Sequence, residues 1–510
     1  MESHHPNKQV AVADAAAAAA TDLLSGLPDD ILHSVLRGLP LKHAARTSAL
    51  SRRWAREWLR ALASSPVLDF TDSDFARGQP PARAVATVSR CLRLHAEYGA
   101  PLHAFRVALR SGAGAGEFGR AVAGWVAEAV ARGAREVEVE VEADLTQMQG
   151  SDTGHRGSAS AFLELPGDLL QGAKNSLERL ALGGFSLRGV PPDAAGLAGL
   201  RSLSLSHADV TDDGVRAVLS CCPSLESLSL RSCHLLTSVT VAGEKLRVLE
   251  IVRCLAVGEL HVTAPALDSL AFHGDIIHAD DGDGVHFGAT PALRDAYLSH
   301  LGIGDFDEDL HEFAYYEFLD CVAHAAILTL CSVGLQHVDW IRGYAFHIDA
   351  PNLQELQLLM ASLGDEDVDR IAALFEFAEP SILDRLFIRL PSGGEPASAA
   401  AVLHDEDIVT NIDIVLAHLT LIKVVNFGGT RQELRLLRFL MNRAPALEQL
   451  VLVATVEEDR ALLGDEEMKT IQARVSMMWT ASPEARVTIC RPSKDDSRSP
   501  AHTKLYHEEY

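Results

Sequence analysis

One short phrase, leucine-x-x-leucine-x-leucine, returns along this chain and limits its fold more than any other feature. It stands at Leu177, Leu180 and Leu182, then at Leu200, Leu203 and Leu205, and at Leu225, Leu228 and Leu230. Leu246, Leu249 and Ile251 follow, then Leu267, Leu270 and Phe272, and a weaker copy opens at Leu293. The steps are 23, 25, 21, 21 and 26 residues. Apolar and polar residues alternate within each phrase, which makes it a strand with one buried face. A unit of this length cannot cover that face alone, so successive units must stack and share a core. The expected fold class is therefore α/β, with a strand in each unit and a helix or loop returning between strands. The clearest helix is 212–219, DDGVRAVL.

Further copies are expected at Ala325, Leu335, Leu353, Leu383 and Ile422, with a strong one at Leu447. Their wider spacing predicts insertions at 275–283, 305–320 and 395–407. A period of this size is that of a leucine-rich repeat. The 510 residues fit several domains or one long array, and a hydrophobic content of 47% is ample for a core.

The net charge is −25, yet residues 1–69 carry 8 basic and 7 acidic residues, so the acidity lies in the body of the chain. An acidic body speaks against general nucleic-acid binding and against an anionic membrane surface. No apolar stretch approaches the ~20 residues of a membrane span. Eight cysteines, with no CxxC pair, read as free thiols in a reducing compartment. The expectations are a chain of the cytoplasm, the nucleus or both, with no metal and no cofactor.

Residues 22–70 read as two or three short amphipathic helices. Pro28 opens the first, with Asp29 and Asp30 in its first turn. Ile31, Leu32, Val35, Leu36 and Leu39 recur at helical spacing, and Gly38 and Pro40 stop the run. Ser51 can cap a later helix whose apolar face holds Trp54, Ala55, Trp58, Leu59 and Leu62. So small a unit normally completes its core against something else.

These residues resemble an F-box. The resemblance rests on Leu27-Pro28-Asp29-Asp30, Ile31-Leu32, Leu39-Pro40 and the string from Arg46 to Trp54, which ends Ser51-Arg52-Arg53-Trp54 as the plant motif does. It implies docking on a Skp-type adaptor and, through it, on a cullin. The implied adaptor-binding residues are Leu27, Pro28, Ile31, Leu32, Val35, Leu36, Leu39, Pro40 and Leu50. Trp54, Trp58 and Leu62 are expected to hold the helices together.

The stretch 203–254 resembles the leucine-rich repeats of plant F-box proteins, with Cys222-Pro223 before a strand and Cys233 and Cys254 after strands. A metal site and a packed repeat core are the two readings of these cysteines, and no histidine recurs in step with them. Residues 422–453 resemble the FBD region that closes many such proteins: a strand, a helix over 432–442 and a second strand. The expected organisation is a disordered tail (1–21), an F-box (22–70), atypical first repeats (85–170), and repeats with acidic insertions (171–420). An FBD-like cap (421–490) and a second disordered tail (491–510) complete it. Within 80–170, strands are expected at 105–110 and 136–142 and a helix at 117–131.

Three signals suggest other chemistry. Gly114, Gly116 and Gly119 spell G-x-G-x-x-G, with Glu138 and Glu140 about twenty residues on, the outline of a dinucleotide site. The strand before it alternates, and Gly112 extends the run into one that also reads as a flexible loop. The stretch 280–284 starts like a calcium loop, but its ligand ladder fails at Val285 and His286. From 275 to 320 there are 12 acidic residues and one basic, Arg294. These read as solvated loops or as a surface recruiting a basic partner, with Asp305, Asp307, Glu308 and Asp309 as the candidate residues.

The resemblance implies a substrate-recognition subunit of a cullin-RING ubiquitin ligase, not an enzyme, with the array holding a protein substrate. Two alternatives stand beside it. One is a small-molecule sensor of the hormone-receptor kind, whose relatives also hold a polyanion in a basic pocket. The other is a dinucleotide-binding enzyme built on 114–119.

Overall fold

In the computed structural model, the described residues are 26–72, 75, 79–109, 115–141, 162–165, 167, 176–191, 194–277, 284–301, 308–338, 347–391, 414–457, 460–461, 464–478 and 480–506. The chain forms two compact units, Met1–Asp144 and Leu145–Tyr510.

The first unit opens with three helices: α1 (Asp29–Arg37), α2 (Leu41–Arg46) and, after a 3-10 turn at Thr47–Ala49, α3 (Arg52–Ala63). Pro28 stands just before α1 and the acidic pair fills its first turn. Ser51 caps α3, its hydroxyl accepting from the Trp54 amide at 3.3 Å. Leu32, Leu36, Ala44, Trp54 and Ala61 make the core of the three helices, with Leu27 and Trp58 packed against it.

Residues 67–70 were expected within the F-box but form β1 (Val67–Phe70), which pairs in parallel with β2 (Ala104–Leu109). Beside β2 its burial takes a period of two and not of 3.6: Leu68 and Phe70 are buried while Val67 and Asp69 are exposed. β2 pairs in parallel with β3 (Glu136–Val141). The connecting helices α4 (Pro81–Tyr98) and α5 (Ala115–Ala131) supply Val88, Leu92, Val122 and Val126 to the core over this sheet. The stretch expected as first repeats thus belongs, up to 144, to the same compact unit as the F-box helices.

The second unit is a parallel sheet with one strand from each repeat. Its strands are β4 (Arg179–Gly183), β5 (Ser202–Ser206), β6 (Ser227–Arg231), β7 (Val248–Val252), β8 (Ser269–Gly274) and β9 (Asp295–His300). They continue as β10 (Ile327–Cys331), β11 (Glu355–Leu359), β12 (Arg385–Arg389), β13 (Leu421–Phe427), β14 (Gln449–Ala454) and β15 (Arg486–Cys490). Each pairs with the next in chain order. The register aligns the leucines of the phrase: Leu203 lies beside Leu228, Leu228 beside Leu249, and Leu249 beside Leu270. All of these are buried.

What returns between strands varies. α6 (Asp212–Cys221) is capped by Thr211, whereas 238–242, 259–263 and 285–287 are short strands that form a small parallel sheet of their own. After β5, β6 and β7 the chain bends through His207, Ser232 and Arg253, each with positive φ, the same turn in three successive repeats. Cys233 and Cys254 follow two of these bends, fully buried, with their thiols pointed at the Leu205 and Leu230 carbonyls. They pack as small core residues, and no cluster of three or more metal-ligating groups exists among the described residues.

Three expectations need correction. Residues 308–320 are not a loop: they lie in α7 (Glu308–Val322), whose Tyr315, Phe318 and Leu319 are buried at helical spacing. Leu335 does not open a strand. It sits in α8 (Ser332–Gln336), because β10 has only just ended at Cys331. Most consequential, 491–506 is not disordered: 495–506 lies across the strands of the array sheet. Residues 1–21, 278–283 and 395–407 lie outside the described residues.

The FBD-like stretch extends the array instead of closing it with a different shape. Between β12 and β13 no helix is described, but α10 follows β13. Counting α9 (Asp365–Ala378) before β12, α10 is Arg431–Met441, opened by a capping box in which Thr430 and Glu433 exchange hydrogen bonds. α11 (Asp465–Ser476) and β15 add a further strand to the same sheet.

Gly334 tests the packing of α8. A β-carbon there would sit 2.5 Å from the Tyr315 Oη and 2.8 Å from two of its ring carbons, and Tyr315 is itself buried. Gly334→Ala is expected to destabilise the second unit by about 1–3 kcal/mol, the usual cost of overpacking, read as a lower urea midpoint. A midpoint equal to the wild type would show that Tyr315 has room to move.

Candidate functional site

Two surfaces stand out, one in each unit. In the first unit the helical core is already filled, yet large apolar side chains remain on the outside. Ile31 is 49% exposed, Val35 44%, Leu39 37% and Leu50 62%. Ile31 and Val35 are one turn apart on α1 and so share a face. Pro28 and Pro40 are also exposed, and Leu27 is half-buried. Leu32 and Leu36, expected among the adaptor-binding residues, are in the core at 0% and 3% exposure. They back the surface and do not belong to it. Also four residues apart, they lie on the side of α1 that packs against Trp54 and Ala61 of α3.

Trp54 is buried in that core, Trp58 packs against it, and Leu62 is buried at the edge of an open surface groove of about 530 Å³. Leu36, Leu39, Pro40 and Trp58 line this groove with Val67 and Leu68. Arg53 ties the start of α1 to α3, donating to the Leu27 carbonyl and to Asp29. That hydrogen bond, against a weaker opposing effect of desolvation, holds the Asp29 carboxyl below the usual carboxylate range.

Glu57 is buried in α3 and reaches His33 on α1 at 3.0 Å, Arg56 at 3.0 Å and Arg60 at 3.3 Å. Burial pushes its carboxyl up, but the hydrogen bonds from Arg56 and His33 and the Arg60 charge outweigh it, so its pKa lies below the ordinary value.

The second surface is the face of the array sheet opposite the leucines. On it stand Glu250, Asp295, Tyr297, Thr329, Glu355 and Lys423, each alternating with buried partners in its strand. Residues 495–506 lie along this face and cross the strands in reverse order. The Asp495 carboxylate is 2.6 Å from Lys423 Nζ, which also donates to the Arg498 carbonyl at 3.2 Å. The Ala501 amide donates to Glu355 at 2.6 Å. His502 spans two strands, 2.8 Å from Thr329 Oγ1 and 3.0 Å from Asp295 Oδ1. The Tyr506 hydroxyl donates to Glu250 at 3.0 Å, and its ring stands edge-on to Tyr297 with centroids 4.9 Å apart. Arg231 lies over that ring at 5.5 Å and Lys504 at 4.7 Å.

Beneath the last residues is an apolar cluster of Val252, Ala271, Tyr297, Cys331, Leu359 and Tyr506, with Leu505 packed on it. Burial raises the Glu250 carboxyl, yet the Lys504 charge and the hydrogen bonds from Ser229 and Arg231 win and lower it. Asp295 is likewise lowered: burial opposes, while His502 and Ser269 donate to it.

This face was missed in the sequence, although a signal was present. A solvated sheet face should be polar at alternate positions. Tyr297, Leu359, Phe387, Leu421 and Val451 are apolar there instead, which requires a cover. Of the residues expected to recruit substrate, Asp305 and Asp307 lie outside the described residues, and Glu308 and Asp309 open α7.

The glycine run fares no better as a phosphate cradle. Gly114 lies outside the described residues, and Gly116 and Gly119 are within α5. Glu138 sits mid-strand beside Arg106, which also binds Glu136 at 2.7 Å and Asp69 at 3.5 Å. A cavity of about 280 Å³ opens where β9 to β13 end, with His300 and Arg389 its basic lining residues among those described. Burial, aided by the nearby His337 and His273, pushes His300 down to about 3. One arginine beside a neutral histidine is not the basic pocket that a polyanion needs.

Comparison with known sequences agrees with both halves of this geometry. The F-box domain model matches residues 24–60, and the model described as "FBD-associated F-box protein At5g56370, LRR repeats" matches residues 122–313. The chain thus carries an F-box domain and FBD-associated leucine-rich repeats, and its relatives are F-box and F-box/LRR-repeat proteins of a plant. Among its relatives in Arabidopsis thaliana is a putative F-box/LRR-repeat protein, 29% identical over 47% of this chain and 49% of the relative. An F-box protein is 28% identical over 45% and 63%, and a putative FBD-associated F-box protein is 31% identical over 41% and 46%. The matches thus span less than two thirds of the length of each relative.

Glu57 makes a prediction on pH. Its folded-state pKa is depressed, so its contribution is present above pH ~4.5 and is lost as pH falls through the folded value. Glu57→Gln should lower the protection of α3 amides from hydrogen exchange near pH 6, and the deficit against wild type should shrink as pH falls below ~4.5. A deficit that stays constant with pH would show that packing, not charge, is what Glu57 supplies.

Proposed function

We propose that this protein is the substrate-recognition subunit of a cullin-RING ubiquitin ligase. The F-box helices dock a Skp-type adaptor and the repeat array holds a protein substrate. The observation that carries this reading is the exposed apolar set Ile31, Val35, Leu39 and Leu50 on a unit whose own core is complete. Apolar side chains left outside a filled core mark a surface that a partner covers. The match of the F-box model to residues 24–60 supports a Skp-type adaptor as that partner.

In this reading the chain breaks and forms no bond in the substrate. Its contribution is proximity: substrate and charged ubiquitin-conjugating enzyme are held in one assembly, which raises their effective concentration. Adaptor at one unit and substrate at the other keep the two recognition tasks on separate surfaces.

The test uses Ile31→Glu with Val35→Glu. Both side chains are exposed, so the three-helix core is left alone. Co-purification with a Skp-type adaptor should fall by ~30-fold or more, which corresponds to the ~2 kcal/mol typical of interface anchors. The melting temperature should be unchanged. Undiminished adaptor binding by the double variant would remove the assignment.

A further inference from the structure

The array sheet presents its open face already covered, and what covers it is a peptide of this same chain. Residues 495–506 meet β13 through Asp495, β11 through Ala501, β10 and β9 through His502, and β7 through Tyr506. The distance fits an extended chain. Six strand spacings of ~4.8 Å separate β13 from β7, about 29 Å, and twelve residues reach ~36 Å at full extension. The segment has no strand pairing of its own, and a 3-10 turn at Pro492–Lys494 leads into it.

Its hold on the face is a set of side-chain readings and not a backbone ladder. Three carboxylates from three strands, Glu250, Asp295 and Glu355, each receive a donor from the segment. The deepest anchor is Tyr506, 5% exposed, seated among Val252, Ala271, Tyr297 and Leu359, with its hydroxyl on Glu250. Lys504 sends its ammonium to the same carboxylate, 3.9 Å away, and over the Tyr506 ring. An aromatic anchor with a charged partner in a desolvated pocket is the usual anatomy of a binding hot spot. The donors and the ring are features that any extended peptide can carry, so the pocket reads chemistry that a second chain could present.

We propose that this face is where the array takes its substrate, and that residues 495–506 occupy it as an internal competitor. The substrate segment is then an extended peptide bearing a lysine or arginine and, two residues on, an aromatic side chain, as Lys504 and Tyr506 stand here. The proposal rests on reading the array as a substrate receptor and adds to it the class of peptide recognised. A ligand that must first displace the segment binds more weakly by the fraction of time the face is open.

The test is peptide binding in trans to the full-length protein. A fluorescein-labelled peptide of residues 494–506 is titrated, by polarisation, against wild type and against His502→Ala with Tyr506→Ala. The double variant should bind the peptide at least tenfold more tightly than the wild type. Adding Glu250→Gln to the double variant, or using a peptide with Tyr506→Ala, should take that binding away. Equal affinities for wild type and variant would overturn the proposal, as would no binding by a double variant that melts like the wild type. Should the double variant fail to fold, Tyr506→Phe carries the same comparison. It keeps the ring and removes one hydrogen bond, for an expected gain of about fivefold, the equivalent of ~1 kcal/mol. No gain there overturns the proposal equally. The assay contains neither adaptor nor ubiquitin, so its failure counts against the internal competitor, while failure of adaptor capture counts against the ligase reading.

Discussion

The second unit depends on one constraint: leucines of successive repeats must lie side by side in register. Leu203, Leu228, Leu249 and Leu270 form such a row, and Leu205, Leu230, Ile251 and Phe272 a second. A slip of one residue in any strand would turn its whole apolar set out to the other face. Once the rows are fixed, the alternate positions are free of packing duty toward the leucine core. Those positions hold Glu250, Asp295, Glu355 and Lys423. The residues that the repeat itself does not need are therefore the ones that hold residues 495–506.

The repeat strands were legible because the period and the alternation agree. Ser202–Ser206, Ser227–Arg231 and Val248–Val252 lie where the phrase put them. The F-box helices were legible for a similar reason, since Pro28, Gly38, Pro40 and Ser51 mark ends that the apolar spacing also marks. Less legible was anything decided by tertiary partners. Val67–Phe70 is a strand because β2 lies beside it, and only its neighbour distinguishes it from the end of a helix. Within the apolar stripe of α1, spacing alone could not separate Leu32 and Leu36, which face α3, from Ile31 and Val35, which face outward.

Residues 491–506 show the same limit most sharply. The string is polar, proline-bearing and of mixed charge, and by composition it is a tail. Its order comes from partners far away: Glu250 lies 256 residues before Tyr506, Asp295 207 before His502, and Glu355 146 before Ala501. No local propensity encodes such contacts. The complementary signal sits on the sheet, in apolar residues such as Tyr297 and Leu359 at positions where water would favour polar ones.

That separation has a consequence for how the array folds and comes apart. In a stack of repeats each unit touches its neighbours alone, so stability is a sum of nearest-neighbour couplings and an end can fray by itself. A segment fastened to β13, β11, β10, β9 and β7 links repeats as far apart as those of β7 and β13, which never pair. It converts a one-dimensional chain of couplings into a body in which middle repeats open together. It also raises the contact order, because these bonds close loops of some 150 to 250 residues and form only after the sheet exists. The last-made contacts are then the first to break, and their release hands the middle of the array back to local, repeat-by-repeat cooperativity.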